Sequence, residues 1–169
     1  MKNNRVLKFL WFLGKAVRVR QWIKNFALYA GIIFSGQLVN PQSFWLVTQA
    51  FLLFCAASSS IYLLNDVFDV ERDRLHPFKS KRPVASGALS ARFVIILALI
   101  LIIATLPISY SISPALFLAI LAYLVLQLFY SAYLKSIILI DVMAIAAGFV
   151  LRIYAGVWVI DAHLNVWFL

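Results

Sequence analysis

Asn65, Asp66, Asp69 and Asp73 form an N-D-x-x-D-x-x-x-D run at the end of an apolar stretch, in a 169-residue chain with only six acidic residues. Counting Glu71, four of the six lie within eight positions. At about 100° per residue, Asp66, Asp69 and Asp73 fall at i, i+3 and i+7 of a helix, and Asn65 shares their face one turn before Asp69. The stripe runs about 10 Å at 1.5 Å per residue. Carboxylates so placed repel one another and call for a cation. Oxygen donors in an open arc suit magnesium, which keeps several waters and takes one or two carboxylates together with substrate phosphates. The plainer reading is a solvated helix end, with Glu71 and Arg74 pairing at i, i+3. No Cys or His cluster competes for a metal, and no G-x-x-x-x-G-K-[ST] or G-x-S-x-G word is present. His76, before Pro77, reads as a loop or capping residue, and His163 carries no signal. Cys55 is the single cysteine, which rules out an intrachain disulfide.

After the stripe the chain reads Leu75-His76-Pro77-Phe78-Lys79-Ser80-Lys81-Arg82-Pro83. The prolines stop the helix. Lys79, Lys81 and Arg82 are then free to fold back over a diphosphate held by the metal, with Arg82 adding forked hydrogen bonds. The competing reading makes these cations topology signals only.

The elements that must position these groups belong to a bilayer. Hydrophobic residues make up 64% of the chain and charged ones 12%, with mean hydropathy +0.97. An ordinary soluble domain is about 45 to 50% apolar and about 25% charged. The net charge of +9 does not point to nucleic acid, because the cations lie between apolar runs and form no basic face on a soluble fold. Five apolar runs, 22–39, 44–64, 93–110, 115–134 and 137–160, approach the ~20 residues a crossing needs. The expected fold is all-α, a polytopic transmembrane bundle of about five spans. The first run has only fourteen uncharged residues, 26–39, a length that also suits a signal-peptide core. The basic segment ahead of it is too long for that. In 1–21, Arg5, Lys8, Lys15 and Arg18 share one helical arc, with Phe9, Leu10, Leu13, Ala16 and Val17 opposite, so the segment should lie in the headgroup plane.

Seven of the fifteen Lys and Arg residues precede Phe26, and six more lie between Arg72 and Arg92. Alternating spans put the N-terminus, the 65–92 loop and the turn at Lys135 on one side, which the positive-inside rule makes cytoplasmic, in a multi-pass plasma (inner) membrane protein. The acidic stripe, Lys24 and Lys135 converge there. In the fifth span Asp141 and Arg152 share a face lined by Ala144, Gly148 and Ala155, yet lie about 16 Å apart along the axis and cannot pair. An arginine within a span is a functional candidate by default. Its alternatives are a partner on another helix or a side chain snorkelling to the far interface.

The aspartate run Asn65-Asp66-Val67-Phe68-Asp69-Val70-Glu71-Arg72-Asp73 resembles the first aspartate motif of the UbiA prenyltransferase superfamily. Arg20-Gln21-Trp22-Ile23-Lys24-Asn25, the stretch from Arg72 through His76-Pro77 to Arg82-Pro83, Tyr130-Ser131 with Leu134-Lys135, and Gly148-Phe149-Val150-Leu151-Arg152 resemble its decaprenyl-phosphate phosphoribosyltransferase branch. The resemblance implies the first half of a fold of about nine helices, with 22–169 as its membrane domain, a catalytic loop over 65–92, and the rest supplied by a C-terminal half or an oligomeric partner. It implies magnesium on Asn65, Asp66, Asp69 and Asp73, with the three aspartates catalytic. Substrate contacts are expected at Lys24, Asn25, Lys79, Arg82, Tyr130, Lys135 and Arg152. Tyr130 and Lys135 stand one residue further apart than the Y-x-x-x-K word many members carry.

The implied reaction is transfer of phosphoribosyl from phosphoribosyl diphosphate to a polyprenyl phosphate. The metal stabilises the departing pyrophosphate. The acceptor is already an anionic oxygen, so no catalytic His is needed. A prenyl diphosphate donor attacking an aromatic acceptor would use the same machinery. A structural membrane component or small transporter remains a non-enzymatic alternative, although a transporter places its ionisable groups near the midplane and shows a repeated half.

Overall fold

The computed structural model describes residues 3–133 and 138–162. The chain runs through α1 (Asn3–Ala16), a 3-10 segment η1 (Val19–Leu28), α2 (Tyr29–Phe34), α3 (Pro41–Phe68), α4 (Val70–Leu75), η2 (Lys79–Lys81), α5 (Ala91–Ile112), α6 (Pro114–Ala132) and α7 (Ile138–Trp158). The all-helical expectation holds. Four of these helices, α3, α5, α6 and α7, are long and apolar enough to cross a membrane.

Their starts have local causes. Asn40 Oδ1 accepts from the backbone N–H groups of Gln42 and Ser43 at 3.0 and 3.3 Å, with Pro41 opening the helix behind it. Ser90 and Ser113 cap α5 and α6 the same way, and Pro114 opens α6.

The first expected span, 22–39, is not one long helix. The ten residues of η1 and six of α2 replace it. The segment makes two close approaches to α7. A Cβ on Gly156 would lie 1.9 Å from the Leu28 carbonyl oxygen, and one on Gly31 would lie 2.8 Å from Val157 Cγ2. Backbone meets backbone here, and the tighter 3-10 winding lets η1 lie along α7. Because a 3-10 helix rises about 2.0 Å per residue, the contour of η1 and α2 is still roughly 30 Å, near the thickness of a hydrocarbon core.

One apolar cluster joins Leu28, Ile32, Phe54, Ile120, Tyr123 and Ala155 across η1, α2, α3, α6 and α7. A second joins Ala16 of α1 with Leu63, Val84, Leu89, Val94 and Ala98, fastening the N-terminal helix and the 83–89 loop to the end of α3 and to α5. Val6, Leu7, Leu10 and Trp11 stay more than half exposed on α1, as do Ile96, Ile100 and Ile103 on α5. Apolar surface of that extent belongs against lipid or another protein surface.

Candidate functional site

Asp69 marks the joint between α3 and α4, with φ −89° and ψ 3°. Its N–H still donates to Asn65 O at 2.9 Å, and Asp73 N–H donates to Asp69 O at 2.8 Å, so the helical register survives the break. The side chains nonetheless part into two sets. Asp66 and Asp73 turn inward and are 2% and 1% exposed. Asn65 and Asp69, half-buried, line a cavity of about 390 Å³ with Leu128, Ser131 and Ala132 of α6.

Arginines meet the inward pair. Arg82 Nη1 donates to Asp73 Oδ2 at 2.6 Å and lies 3.5 Å from Asp66 Oδ1, while Arg18 Nη2 donates to that same Asp66 oxygen at 2.7 Å. These are the ion pairs among the described residues. Arg18 leaves α1 in a left-handed conformation, φ 53°, and its guanidinium stacks 4.6 Å over the Tyr62 ring. Among the described residues, no three His, Cys, Asp or Glu side chains gather around a point that could hold a metal. The single three-carboxylate cage expected from helical spacing is therefore not formed. Buried carboxylates need compensation. Two guanidinium groups supply it, while Asn65 and Asp69 line the cavity beside α6.

A second cavity, of about 330 Å³, is lined by Arg18, Lys24 and Arg152 and by no carboxylate. Tyr62, Tyr123, Gln127 and Tyr130 furnish hydroxyl and amide groups, and Asn65 lines both cavities. Arg152 is 5% exposed, yet its partners among the described residues are all neutral. Its Nε donates to Asn25 Oδ1 at 2.7 Å, Nη1 to Gly148 O at 2.6 Å and Nη2 to the Tyr123 hydroxyl at 3.0 Å. The guanidinium also sits 4.7 Å from the Tyr123 ring centroid. Its hydrogen bonds are satisfied and its charge is not, so an anion in this cavity would find a preorganised cation.

The remaining expectations sort as follows. Asn25, expected to contact substrate, is fully buried; its amide donates to Cys55 Sγ and Ser58 Oγ, and its oxygen holds Arg152. It is therefore a support for Arg152 and lines neither cavity. Tyr130 reaches the second cavity but commits its hydroxyl to Asp141 Oδ1 at 2.8 Å. Asp141 and Arg152, unable to pair, thus find separate partners on α6 and η1. Lys79 is exposed on η2 and lines neither cavity. His76 Nδ1 accepts from Phe78 N and Lys79 N at 3.2 and 3.3 Å, the capping role expected of it. Lys135 lies outside the described residues. Arg18, Tyr62, Tyr123 and Gln127 were not singled out as site residues from the sequence. A signal existed for the last two: Tyr123, Gln127 and Tyr130 stand at i, i+4 and i+7 of an otherwise apolar helix.

A family model described as the UbiA prenyltransferase family matches residues 25–169. The decaprenyl-phosphate phosphoribosyltransferase of Mycolicibacterium smegmatis is 39% identical, over 93% of this chain and 51% of its own length. The protein of the same name from Corynebacterium glutamicum is 36% identical, over 92% of this chain and 48% of its length. The nodulation protein NoeC of Azorhizobium caulinodans is 31% identical, over 84% and 46%. The chain thus spans about half the length of the curated relatives it matches. Among solved structures, a UbiA homolog from Archaeoglobus fulgidus bound to DMAPP and Mg2+ superposes with a TM-score of 0.73 over 91% of this chain and 56% of that one. At 22% identity that likeness speaks to fold.

Proposed function

Because this chain belongs to the UbiA prenyltransferase family, we propose that it serves a membrane-embedded, magnesium-dependent transfer of phosphoribosyl from phosphoribosyl diphosphate to a polyprenyl phosphate. The observation that carries this reading is the acid-free cationic cavity of Arg18, Lys24 and Arg152 beside the Asn65 and Asp69 cavity. A prenyl donor anchored at Asn65 and Asp69 would press hydrocarbon toward a buried, uncompensated guanidinium. A ribose 5-phosphate there would satisfy it. The names of the M. smegmatis and C. glutamicum relatives support the same donor.

Asn65 and Asp69 fit a divalent ion, since an amide oxygen and one carboxylate leave magnesium the sites it fills with water and phosphate. Bound there, the ion would neutralise charge on the departing diphosphate. The other roles fall to side chains. Arg152 and Lys24 hold the 5-phosphate, and Arg18, paired with Asp66, forms a further wall of that cavity. In the transfer, the bond from the ribose anomeric carbon to the diphosphate oxygen breaks, a bond to the lipid phosphate oxygen forms, and pyrophosphate leaves. In this reading the basic N-terminal segment and the 65–92 loop face the cytoplasm of the plasma membrane.

Membranes holding the protein, incubated with each radiolabelled donor and a polyprenyl phosphate, test the proposal. Label should pass to the lipid from phosphoribosyl diphosphate. Transfer only from a prenyl diphosphate to an aromatic acceptor would overturn it in favour of the second reading, which the DMAPP-bound structural neighbour motivates.

A further inference from the structure

We infer that the groove beneath α1 binds one anionic glycerophospholipid, its phosphate between Lys15 and Arg20 and one acyl chain in an apolar cavity shared by α1, α3 and α5. Two cavities meet there. One, of about 600 Å³, is lined by Trp11, Lys15, Arg18, Arg20 and Gln21. The other, of about 460 Å³, is lined by Leu13 and Val17 of the N-terminal segment, Leu52 and Ala56 of α3, and Leu97 and Leu101 of α5. Leu10 and Gly14, one helical turn apart, line both. A Cβ built on Gly14 meets nothing within 4 Å, so no atom crowds the joint at that point.

Charge selects the headgroup. No Asp or Glu precedes Asp66 in the sequence, and Asp66 is taken by Arg18. Lys15 and Arg20 have no place in the ion pairs among the described residues. Lys15 Nζ donates to Lys81 O at 3.2 Å and sits 5.0 Å from the Trp11 ring centroid, and neither neutralises it. A phosphodiester fits this acid-free pocket, whereas a zwitterionic headgroup brings a cation of its own against two others. The second cavity selects the tail, because its polar side chains are committed elsewhere. Ser59 Oγ accepts from Trp22 Nε1 and donates to Val17 O, both at 3.0 Å, and Cys55 Sγ accepts from the Asn25 amide at 3.3 Å. The wall left to a ligand is hydrocarbon. Ser59 and Leu52 lie about 10 and 21 Å along α3 from Asp66, at 1.5 Å per residue, so the apolar cavity reaches from below the cations into the hydrocarbon core. A polyprenyl phosphate has the same kind of head and tail. Its acceptor oxygen, however, must reach the donor cavity, whose α3 residues Tyr62 and Asn65 point roughly 100° around the helix from those lining the apolar one.

The chain purified in a nonionic detergent, titrated with phosphatidylglycerol or with phosphatidylcholine of the same acyl chains, tests the site by native mass spectrometry and thermal melting. One phosphatidylglycerol per chain should be retained at least about tenfold more tightly than phosphatidylcholine, and should raise the melting temperature saturably. Lys15→Gln with Arg20→Gln should erase that preference and leave phosphatidylcholine within about twofold. Gly14→Leu fills the joint at a helical position where leucine is the better helix former. It should weaken both lipids at least about tenfold, while melting without lipid does not fall. Polyprenyl phosphate should not displace the bound phospholipid. The inference is overturned by uptake of many lipids without saturation, by equal retention of the two lipids, or by a preference that survives loss of both cations. It is overturned equally if Gly14→Leu holds phosphatidylglycerol as tightly as the wild type, or if polyprenyl phosphate displaces it. None of these readouts depends on which donor the enzyme uses.

Discussion

Two arginine environments lie side by side in this molecule and differ in what faces the guanidinium groups. At the end of α3, Arg18 and Arg82 face Asp66 and Asp73, charge against charge. In the cavity bounded by η1, α6 and α7, Arg152 faces an amide, a carbonyl and a phenol, and no acid. The first cluster is neutralised within itself, although Arg18 also lines the neighbouring cavity. The second has geometry without neutrality and is poised for a ligand. Removing a partner should therefore unfold the one and merely empty the other.

The sharpest break would come from Asp66→Ala. Leaving a guanidinium pair without its shared carboxylate should destabilise the fold by about 3 kcal/mol, tempered because both arginines reach solvent, and thermal melting in detergent or nanodiscs would register it. Next is Gly156→Ala, which forces a methyl group into the Leu28 carbonyl. The expected loss is about 1 to 3 kcal/mol, accompanied by weaker phosphoribosyl diphosphate binding, because η1 carries Asn25 and with it the setting of Arg152. Arg152→Met tests the other side of the comparison. Melting should shift by no more than about 1 kcal/mol, since a buried cation without a counter-charge is replaced by an apolar chain, while binding of phosphoribosyl diphosphate in a calorimeter falls at least about tenfold. A large drop in melting with binding unchanged would mean that Arg152 is structural. The smallest effect belongs to Lys79→Gln, exposed and outside both cavities. Stability within about 0.5 kcal/mol and unaltered donor affinity are expected, and a clear loss of affinity would show that η2 moves onto the ligand.

Much of the scaffold was legible because its causes are local. The spans now seen as α3, α5, α6 and α7 show as apolar runs bounded by Asn40-Pro41, Ser90 and Ser113-Pro114, and capping acts over a few residues. His76 was legible for the same reason. The first span was not, because Leu28 and Gly31 pack against Gly156 and Val157, over a hundred residues away, a contact that local pattern does not show. The candidate site divided in the same manner. The acid run identified itself, and helical periodicity correctly put Asn65 and Asp69 one turn apart. It could not foresee that Arg18, 48 residues before Asp66, and Arg82, nine after Asp73, would claim those two carboxylates. Nor could it show that Asn25 holds Arg152 across 127 positions.

Composition and order of residues alone determined that the chain is helical, that it lives in a bilayer, and that four of its six acidic residues gather between Asp66 and Asp73, because hydropathy, capping and helical period act within a few turns. Tertiary packing alone decided which oxygens stay open and which cation goes unneutralised. The partner of a buried charge is whatever side chain the fold brings within about 3 Å, and that distance has no counterpart along the chain.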